Sequence, residues 1–232
     1  MFFPYRDDNP TVRKPVVTIG LIAVNMLVYL FFAAQGPLAY RQAILNLGVI
    51  PVELVHMKNL IISTSLPPIV TLVTSMFTHA DLMHLAGNMW FLWIFGDNVE
   101  DRLGHVPFLG FYLLSGLVAT LFHILFNASS VMPVVGASGA ISGVLGAYAI
   151  LFPHARIRTF IFIIIFFDIV MVPAVFFIGI WILFQVINGL LSLGMEGGGV
   201  AWFAHIGGFV FGLYGLRFFV RKRPGAGVVH RV

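Results

Sequence analysis

Six long apolar stretches, separated by short polar or proline-containing segments, dominate the sequence. They cover residues 16–34, 82–98, 106–126, 138–152, 173–193 and 201–220. Because about 20 apolar residues of helix cross a hydrocarbon layer about 30 Å thick, each stretch is predicted to be a membrane-spanning helix. The fourth is unusually short, so it requires neighbouring helices around it. Residues 159–172 are predicted to be a buried or interfacial lead-in to the fifth helix.

Composition supports this pattern and excludes an ordinary soluble domain. Hydrophobic residues make up 59% of the chain and charged residues only 9%, compared with about 25% charged residues in soluble proteins. The predicted fold class is therefore an all-α polytopic membrane protein. The chain has no cysteine, which excludes disulfides, thiolate metal sites and a cysteine nucleophile. It also lacks a basic run long enough to predict binding to nucleic acid.

The distribution of basic residues predicts the orientation in the membrane. Eleven of the 13 Lys and Arg residues lie in the two tails and in alternate loops, whereas the opposite side holds only Arg41 and Lys58. Since basic loops remain cytoplasmic, both termini are expected there. The predicted divisions are a cytoplasmic tail at 1–15, a six-helix domain at 16–220 and a basic cytoplasmic tail at 221–232. Residues 35–81 form a non-cytoplasmic loop, predicted to be partly membrane-embedded with short interfacial helices.

Polar residues occur where the second, fourth and sixth predicted helices begin. His84 and Asn88 lie four residues apart on one face of the second helix, Ser138 opens the fourth, and His205 lies near the start of the sixth. All three helices begin on the non-cytoplasmic side, so these four side chains lie within roughly 10 Å of that surface at 1.5 Å per residue. Polar groups inside a membrane are costly, and their convergence predicts a functional site.

Glycines follow one stripe of the fourth helix and one stripe of the sixth. They are Gly139, Gly143 and Gly146 in the fourth helix, and Gly208, Gly212 and Gly215 in the sixth. Small residues allow membrane helices to approach closely. The two stripes therefore predict a contact that brings Ser138 against His205.

The residue types at this site indicate nucleophilic catalysis. A serine hydroxyl needs an adjacent general base, which His205 can supply. The start of the fourth helix leaves backbone N–H groups around Ser138 that can hold an oxyanion, and His84 and Asn88 can donate into the same space. No acidic residue completes a triad, so a Ser138/His205 dyad is predicted. No zinc-protease motif is present, and neither a metal nor another cofactor is expected.

These motifs resemble the rhomboid family of intramembrane serine proteases. The resemblance rests on His79-x4-His84-x3-Asn88, on Gly136-Ala-Ser138-Gly139-Ala and on Ala-His205-x-Gly-Gly208-x3-Gly212. It implies a serine endopeptidase that cleaves in or near the transmembrane segments of membrane proteins. The implied nucleophile is Ser138 and the implied base is His205. It also implies an oxyanion hole formed by His84, Asn88 and the Ser138 backbone N–H, with His79 and the motif glycines Gly136, Gly139, Gly208 and Gly212 in supporting positions.

Two departures from the family pattern concern residues near the site. Some members carry a Trp-Arg pair in the first loop, which residues 69–77 lack here. Some members place an aromatic residue four positions after the nucleophile, where it stacks on the catalytic histidine, and here that position is Ser142. We therefore expect the general base to be held by a different contact.

A non-catalytic rhomboid-like protein that binds transmembrane clients is the alternative function. Such relatives lose the serine or the histidine, and both are present here. The expected partners are transmembrane protein substrates and membrane lipids, with no oligomeric state predicted. The expected location is a prokaryotic plasma membrane, with the site open to the non-cytoplasmic side. His123, deep in the third helix, is expected to serve packing or hydrogen bonding.

Overall fold

The elements of the fold follow the predicted apolar stretches closely. The computed structural model describes residues 2–61, 65–163, 166–194 and 199–220. In chain order the elements are β1 (Phe2–Asp7), α1 (Val16–Ala33), α2 (Pro37–Leu47), α3 (Pro51–His56), α4 (Pro68–Thr74), α5 (Leu82–Leu103), α6 (His105–Asn127), α7 (Ser138–Leu151), β2 (Arg156–Ile163), β3 (Phe166–Pro173), α8 (Ala174–Leu191) and α9 (Trp202–Gly215). Single 3₁₀ turns follow α4 at Ser75–Phe77 and α9 at Leu216–Phe218. The predicted helical membrane bundle is thus confirmed.

Several of these helices are long and apolar enough to cross a membrane. Within the described residues α1, α6 and α8 meet this criterion, and Pro68–Phe77 with Leu82–Leu103 forms a further candidate that is bent by 77°. Helices α7 and α9 have 14 residues each, which corresponds to about 21 Å. They are shorter than the hydrocarbon layer and depend on the surrounding helices. The count of six crossings stays a prediction.

Helix α7 forms the centre of the bundle. Every residue from Gly139 to Tyr148 is buried, and α5, α6, α8 and α9 all contact this helix. Its glycine and alanine content allows so many neighbours to approach. Ser138, at the first position of α7, is therefore held at one end of the most enclosed helix.

A carboxylate from α5 holds the start of α1 in place. The fully buried Glu100 accepts hydrogen bonds from the backbone N–H groups of Val17 and Thr18 and from the Thr18 hydroxyl, at 2.7–2.9 Å. The first N–H groups of a helix have no partner within the helix, and an anion there is also favoured by the helix dipole. Glu100 thus caps α1 across a tertiary contact.

The long connection between α1 and α5 contains short helices, as the sequence predicts. It also supports the segment that leads into α7. The Thr74 hydroxyl donates to the carbonyl of Leu47 at 2.7 Å, and the Gly136 N–H donates to the carbonyl of Ser75 at 2.9 Å. Val49 forms an antiparallel bridge with Val134. These bonds fix residues 133–137, which position Ser138.

The expected buried or interfacial lead-in at residues 159–172 is wrong, because residues 156–163 and 166–173 form two strands. Strands β2 and β3 pair antiparallel, and β1 pairs antiparallel with β2, which gives the order β1-β2-β3. In β2 the exposed Arg156 and Arg158 alternate with the buried Ile157 and Thr159, as a strand with one covered face requires. The run of β-branched and aromatic residues that follows favours strands as much as membrane insertion.

Part of the predicted N-terminal tail, residues 1–15, is folded onto the helices. The Pro4 carbonyl accepts a hydrogen bond from Trp90 Nε1 at 2.6 Å, and the Phe3 ring lies 4.8 Å from the Trp90 ring. At the other end of β1, Asp7 Oδ2 accepts from Asn98 Nδ2 at 2.8 Å and from the Tyr148 hydroxyl at 2.6 Å. The predicted basic tail at 221–232 lies outside the described residues.

Candidate active site

Ser138 and His205 are joined by a hydrogen bond. The Ser138 hydroxyl donates to His205 Nε2 at an Oγ–Nε2 distance of 2.8 Å. Ser138 is the first residue of α7, and His205 lies in the first turn of α9, so 67 residues separate the pair in the chain. The distance is within the range that proton transfer requires.

Close packing of α7 against α9 produces this contact. A side chain at Gly208 would overlap the carbonyl oxygen of Gly139, and one at Gly212 would overlap the carbonyl oxygen of Gly143. Likewise, a side chain at Gly146 would overlap the carbonyl of Phe209. The predicted glycine contact between α7 and α9 is therefore formed at Gly146, Gly208 and Gly212, where the absence of side chains allows the backbones to touch. The other predicted stripe glycines differ, because an added Cβ at Gly139 or Gly143 would first meet Ala119 or Ser115 of α6, and one at Gly215 would meet the Phe211 ring.

His84 and Asn88 lie beside the loop that precedes Ser138. Gly136 has φ +119°, and an added Cβ there would lie 2.7 Å from His84 Cε1 and Nε2 and 3.6 Å from Asn88 Nδ2. Gly136 is thus required both for its backbone conformation and for the space that the His84 ring occupies. The site residues on α5 and on α7 meet at this glycine.

Local hydrogen bonds orient both polar side chains of α5. The Ala80 N–H donates to His84 Nδ1 at 3.4 Å, which leaves Nε2 as the protonated nitrogen of a neutral ring. Asp81 caps α5, since its Oδ1 accepts from the His84 backbone N–H at 2.8 Å. Asn88 Nδ2 donates one of its two hydrogens to the carbonyl of His84 at 3.0 Å. Each side chain therefore keeps one N–H available for a ligand.

A single cavity of about 950 Å³ joins these groups. Ser138, His205, His84 and Asn88 all line it, as do residues 80–81, 132–135 and 199–201, which precede or begin α5, α7 and α9. The cavity is therefore located where those three helices begin, as the predicted convergence requires. It is large enough to admit water and an extended peptide segment to the serine.

Two further histidines lie close to the cavity: His79 packs behind the lining residue His84, and His123 lines the cavity itself. The His79 ring is buried and lies edge-on to the His84 ring at 5.1 Å, while its carbonyl accepts from the Tyr40 hydroxyl at 2.6 Å. This position fits the supporting role predicted for His79. His123 lines the cavity from α6, and its buried Nδ1 has no hydrogen-bond partner among the described residues. The sequence predicts a packing or hydrogen-bonding role for His123 and contains no signal that would place it at the cavity.

Gln185 of α8 is a neighbour of His205, and the sequence did not predict it as a site residue. Its Oε1 lies 2.8 Å from His205 Nδ1, and both side chains are buried. The missed signal was an amide side chain within a strongly apolar span, which is costly unless it has a partner.

Aromatic rings from α8 and α9 surround His205 on the other sides. The Trp181 ring is tilted by 35° at 5.9 Å, and the Trp202 ring is edge-on at 6.3 Å. Ser142 lies below the serine, and its hydroxyl donates to the carbonyl of Ser138 at 2.6 Å. The aromatic neighbour that some family members place at position 142 is therefore provided here by α8. Within the described part of the chain, no three His, Asp or Glu residues are close enough to hold a metal ion.

Comparisons with known proteins identify similar sequences. A family model described as a rhomboid domain matches residues 68–222. Rhomboid protein 1, mitochondrial, of Saccharomyces cerevisiae is 35% identical over 153 residues, which cover 63% of this chain and 41% of that protein. Presenilin-associated rhomboid-like protein A, mitochondrial, of Danio rerio is 30% identical over 163 residues, 66% of this chain and 39% of that protein. The Bos taurus presenilin-associated rhomboid-like protein, mitochondrial, is 26% identical over 202 residues, 84% of this chain and 46% of that protein. The chain thus spans less than half the length of these relatives.

Proposed function

This chain belongs to the rhomboid family, and on that premise we propose that it is an intramembrane serine endopeptidase. Its substrates are the transmembrane or juxtamembrane segments of membrane proteins, and its reactive groups are Ser138 and His205. The observation that carries the proposal is the 2.8 Å bond between Ser138 Oγ and His205 Nε2. This bond lies in a cavity within an apolar bundle, where a serine paired with a base has little structural purpose.

The geometry supports a two-step acyl transfer. Ser138 Oγ attacks the carbonyl carbon of the scissile peptide while its proton passes to His205 Nε2, which forms a tetrahedral oxyanion. His205 then gives this proton to the leaving amine nitrogen, and the C–N bond breaks to leave an ester on Ser138. A water molecule from the cavity attacks the ester, His205 takes its proton, and Ser138 Oγ leaves with that proton.

The developing oxyanion has three donors near Ser138. They are His84 Nε2–H, the second Nδ2 hydrogen of Asn88, and the Ser138 backbone N–H at the start of α7. Fixed donors in a site with little water stabilise a developing charge without reorganisation. The positive end of the α7 dipole acts in the same direction.

The proposed orientation follows from the basic residues of the chain. Both termini lie on the side with most of the Lys and Arg residues, which is the cytoplasmic side in a cell membrane, and the cavity opens on the opposite side. A prokaryotic plasma membrane is the location expected from the sequence. The relatives are named as mitochondrial proteins, which favours an organellar membrane for this chain. Fractionation of native cells distinguishes the two.

Cleavage in liposomes tests the proposal. The substrate is a fluorescent membrane protein whose transmembrane helix is destabilised, and we compare the wild type with Ser138→Ala and His205→Ala. Ser115→Ala and His154→Ala are matched controls, because among the described residues the Ser115 hydroxyl bonds to the carbonyl of Phe111 in its own helix, and His154 is exposed. We expect cleavage in the wild type and controls, none in the two site variants, and no effect of a chelator. Cleavage that persists in Ser138→Ala would contradict the proposal. Client binding without any cleavage would favour the non-catalytic alternative.

A further inference from the structure

The second ring nitrogen of His205 is engaged by a side chain from a different helix. His205 Nδ1 and Gln185 Oε1 are 2.8 Å apart, and both groups are buried. Gln185 belongs to α8, whereas His205 belongs to α9 and Ser138 to α7. The reactive serine, the base and the amide thus form a chain of two hydrogen bonds across three helices.

The amide of Gln185 has a defined orientation. Its Nε2 donates to the carbonyl of Trp181, one turn earlier in α8, at 3.1 Å. The two ends of a glutamine amide differ, since the nitrogen only donates and the oxygen only accepts. The end that faces His205 is therefore the acceptor, and Nδ1 must carry the hydrogen.

We propose that Gln185 is the positioning residue that selects the tautomer and ring orientation of His205. With the hydrogen on Nδ1, Nε2 of a neutral ring has a free lone pair, which is required to accept the proton of Ser138. With the hydrogen on Nε2, the ring cannot act as a base toward the serine. Gln185 thus takes the place that an aspartate occupies in serine hydrolase triads, without adding a buried charge.

Because Gln185 belongs to α8, the tautomer and ring orientation of His205 depend on how α8 packs against the bundle. Only Ala174, Ile178, Gln185 and Gly189 of α8 are buried, so a narrow stripe holds this helix against the bundle. Any displacement of α8 that separates Oε1 from Nδ1 leaves a buried N–H without a partner. This inference rests on the proposed function for its catalytic meaning, although the tautomer is a property of the resting protein.

The test combines a spectroscopic signature with kinetics. Histidine labelled with ¹⁵N reports which ring nitrogen carries the hydrogen, and the His205 signals are assigned from their loss in His205→Ala. We compare the wild type with Gln185→Met, which keeps the shape but removes the acceptor, and with Gln185→Glu, which keeps an acceptor. Gln185→Leu is a second apolar replacement, for use if the methionine variant does not fold. Gln35→Met is the matched control, because Gln35 is exposed and makes the same bond to a carbonyl four residues earlier.

We expect the Nδ1–H tautomer in the wild type, in Gln185→Glu and in the control, and a shift toward Nε2–H in Gln185→Met. In the cleavage assay Gln185→Met should reduce kcat about 10- to 100-fold, the range for a buried group left unpaired, with KM changed less than about twofold. Gln185→Glu should restore most of that loss. An unchanged tautomer in folded Gln185→Met would overturn the inference. If the tautomer shifts but the wild type cleaves nothing, the positioning role stands and the proposed function fails.

Discussion

A methyl group added at Gly208 tests whether the close approach of α7 and α9 is what assembles the site. The Cβ of Gly208→Ala would overlap the carbonyl oxygen of Gly139 and lie 3.2 Å from Ser142 Cβ. The backbone carbonyl cannot rotate away from the helix. Helix α9 must therefore move outward by more than about 1 Å to restore a normal contact of about 3.5 Å.

That displacement has separate consequences for activity and for stability. His205 lies three residues before Gly208, so it moves with α9. The Ser138–His205 hydrogen bond of 2.8 Å would then lengthen to a separation that no longer supports a hydrogen bond. A misplacement of about 1 Å costs about 100-fold in rate. Overpacking of a tight interface also costs about 1–3 kcal/mol of unfolding free energy, so the variant should still fold.

The assay measures cleavage rate and thermal unfolding of Gly208→Ala in the same detergent. Gly20→Ala is the control, since Gly20 of α1 has no atom within 4 Å of an added Cβ and alanine favours helix. We expect the rate of Gly208→Ala to fall by at least 30-fold, whereas the control keeps full activity and equal or higher stability. Full activity in Gly208→Ala would show that the Ser138–His205 geometry does not depend on this contact.

Three further changes test other parts of the account. Asn88→Ala removes one proposed oxyanion donor and should reduce kcat about 100-fold with little change in KM. Steady-state kinetics measures both constants, and an equal rise in KM would indicate a role in substrate binding instead. Glu100→Ala leaves the N–H groups of Val17 and Thr18 without their acceptor and should cost about 2–4 kcal/mol of unfolding free energy. Thermal unfolding measures this loss, and an unchanged melting temperature would contradict the role of Glu100 as the cap of α1. Burial, opposed by the hydrogen bond from Tyr148, raises the pKa of Asp7 from 3.8 to about 6, so unfolding releases a proton between these values and stability should fall as pH rises from about 4 to 6. A full shift of this size corresponds to about 3 kcal/mol, and about half is expected at this partly solvated site. Asp7→Asn should reduce the pH dependence by this amount, and an unchanged pH dependence would refute the assignment.

The helices and the Ser138–His205 pair were predictable because the requirements of a bilayer act on each stretch of the chain locally. Apolar length located the helices of the bundle, and alternation of direction placed the starts of α5, α7 and α9 at one end. Glycine spacing then predicted which faces of α7 and α9 meet. Ser138 and His205 lie together because these rules leave few other arrangements.

The sheet was not predictable because it depends on distant pairing. Strand β1 pairs with β2 across about 150 residues of chain, and Trp90 bonds to Pro4. An apolar run of β-branched and aromatic residues is consistent with either a strand or a buried segment. Only the partner strand from the N-terminus decides between them.

Gln185 shows a different limit, since its signal was present but ambiguous. Two amides, Gln185 and Asn188, interrupt the same apolar helix, and composition alone does not tell which one faces the bundle. The stripe formed by Ala174, Ile178 and Gly189 places Gln185 inside, whereas Asn188 is half-buried and bonds to Phe184. Helix rotation is set by packing against α9, which is a tertiary effect.

Covalent labelling shows directly whether His205 activates Ser138 as a nucleophile. A fluorophosphonate forms a stable phosphonate ester only with an activated serine, and mass spectrometry of the digested protein locates the adduct. We predict a single adduct on Ser138 in the wild type, which is absent in His205→Ala although that variant keeps its Ser138 hydroxyl and its fold. Labelling of another serine, or equal labelling of Ser138 in His205→Ala, would contradict the account.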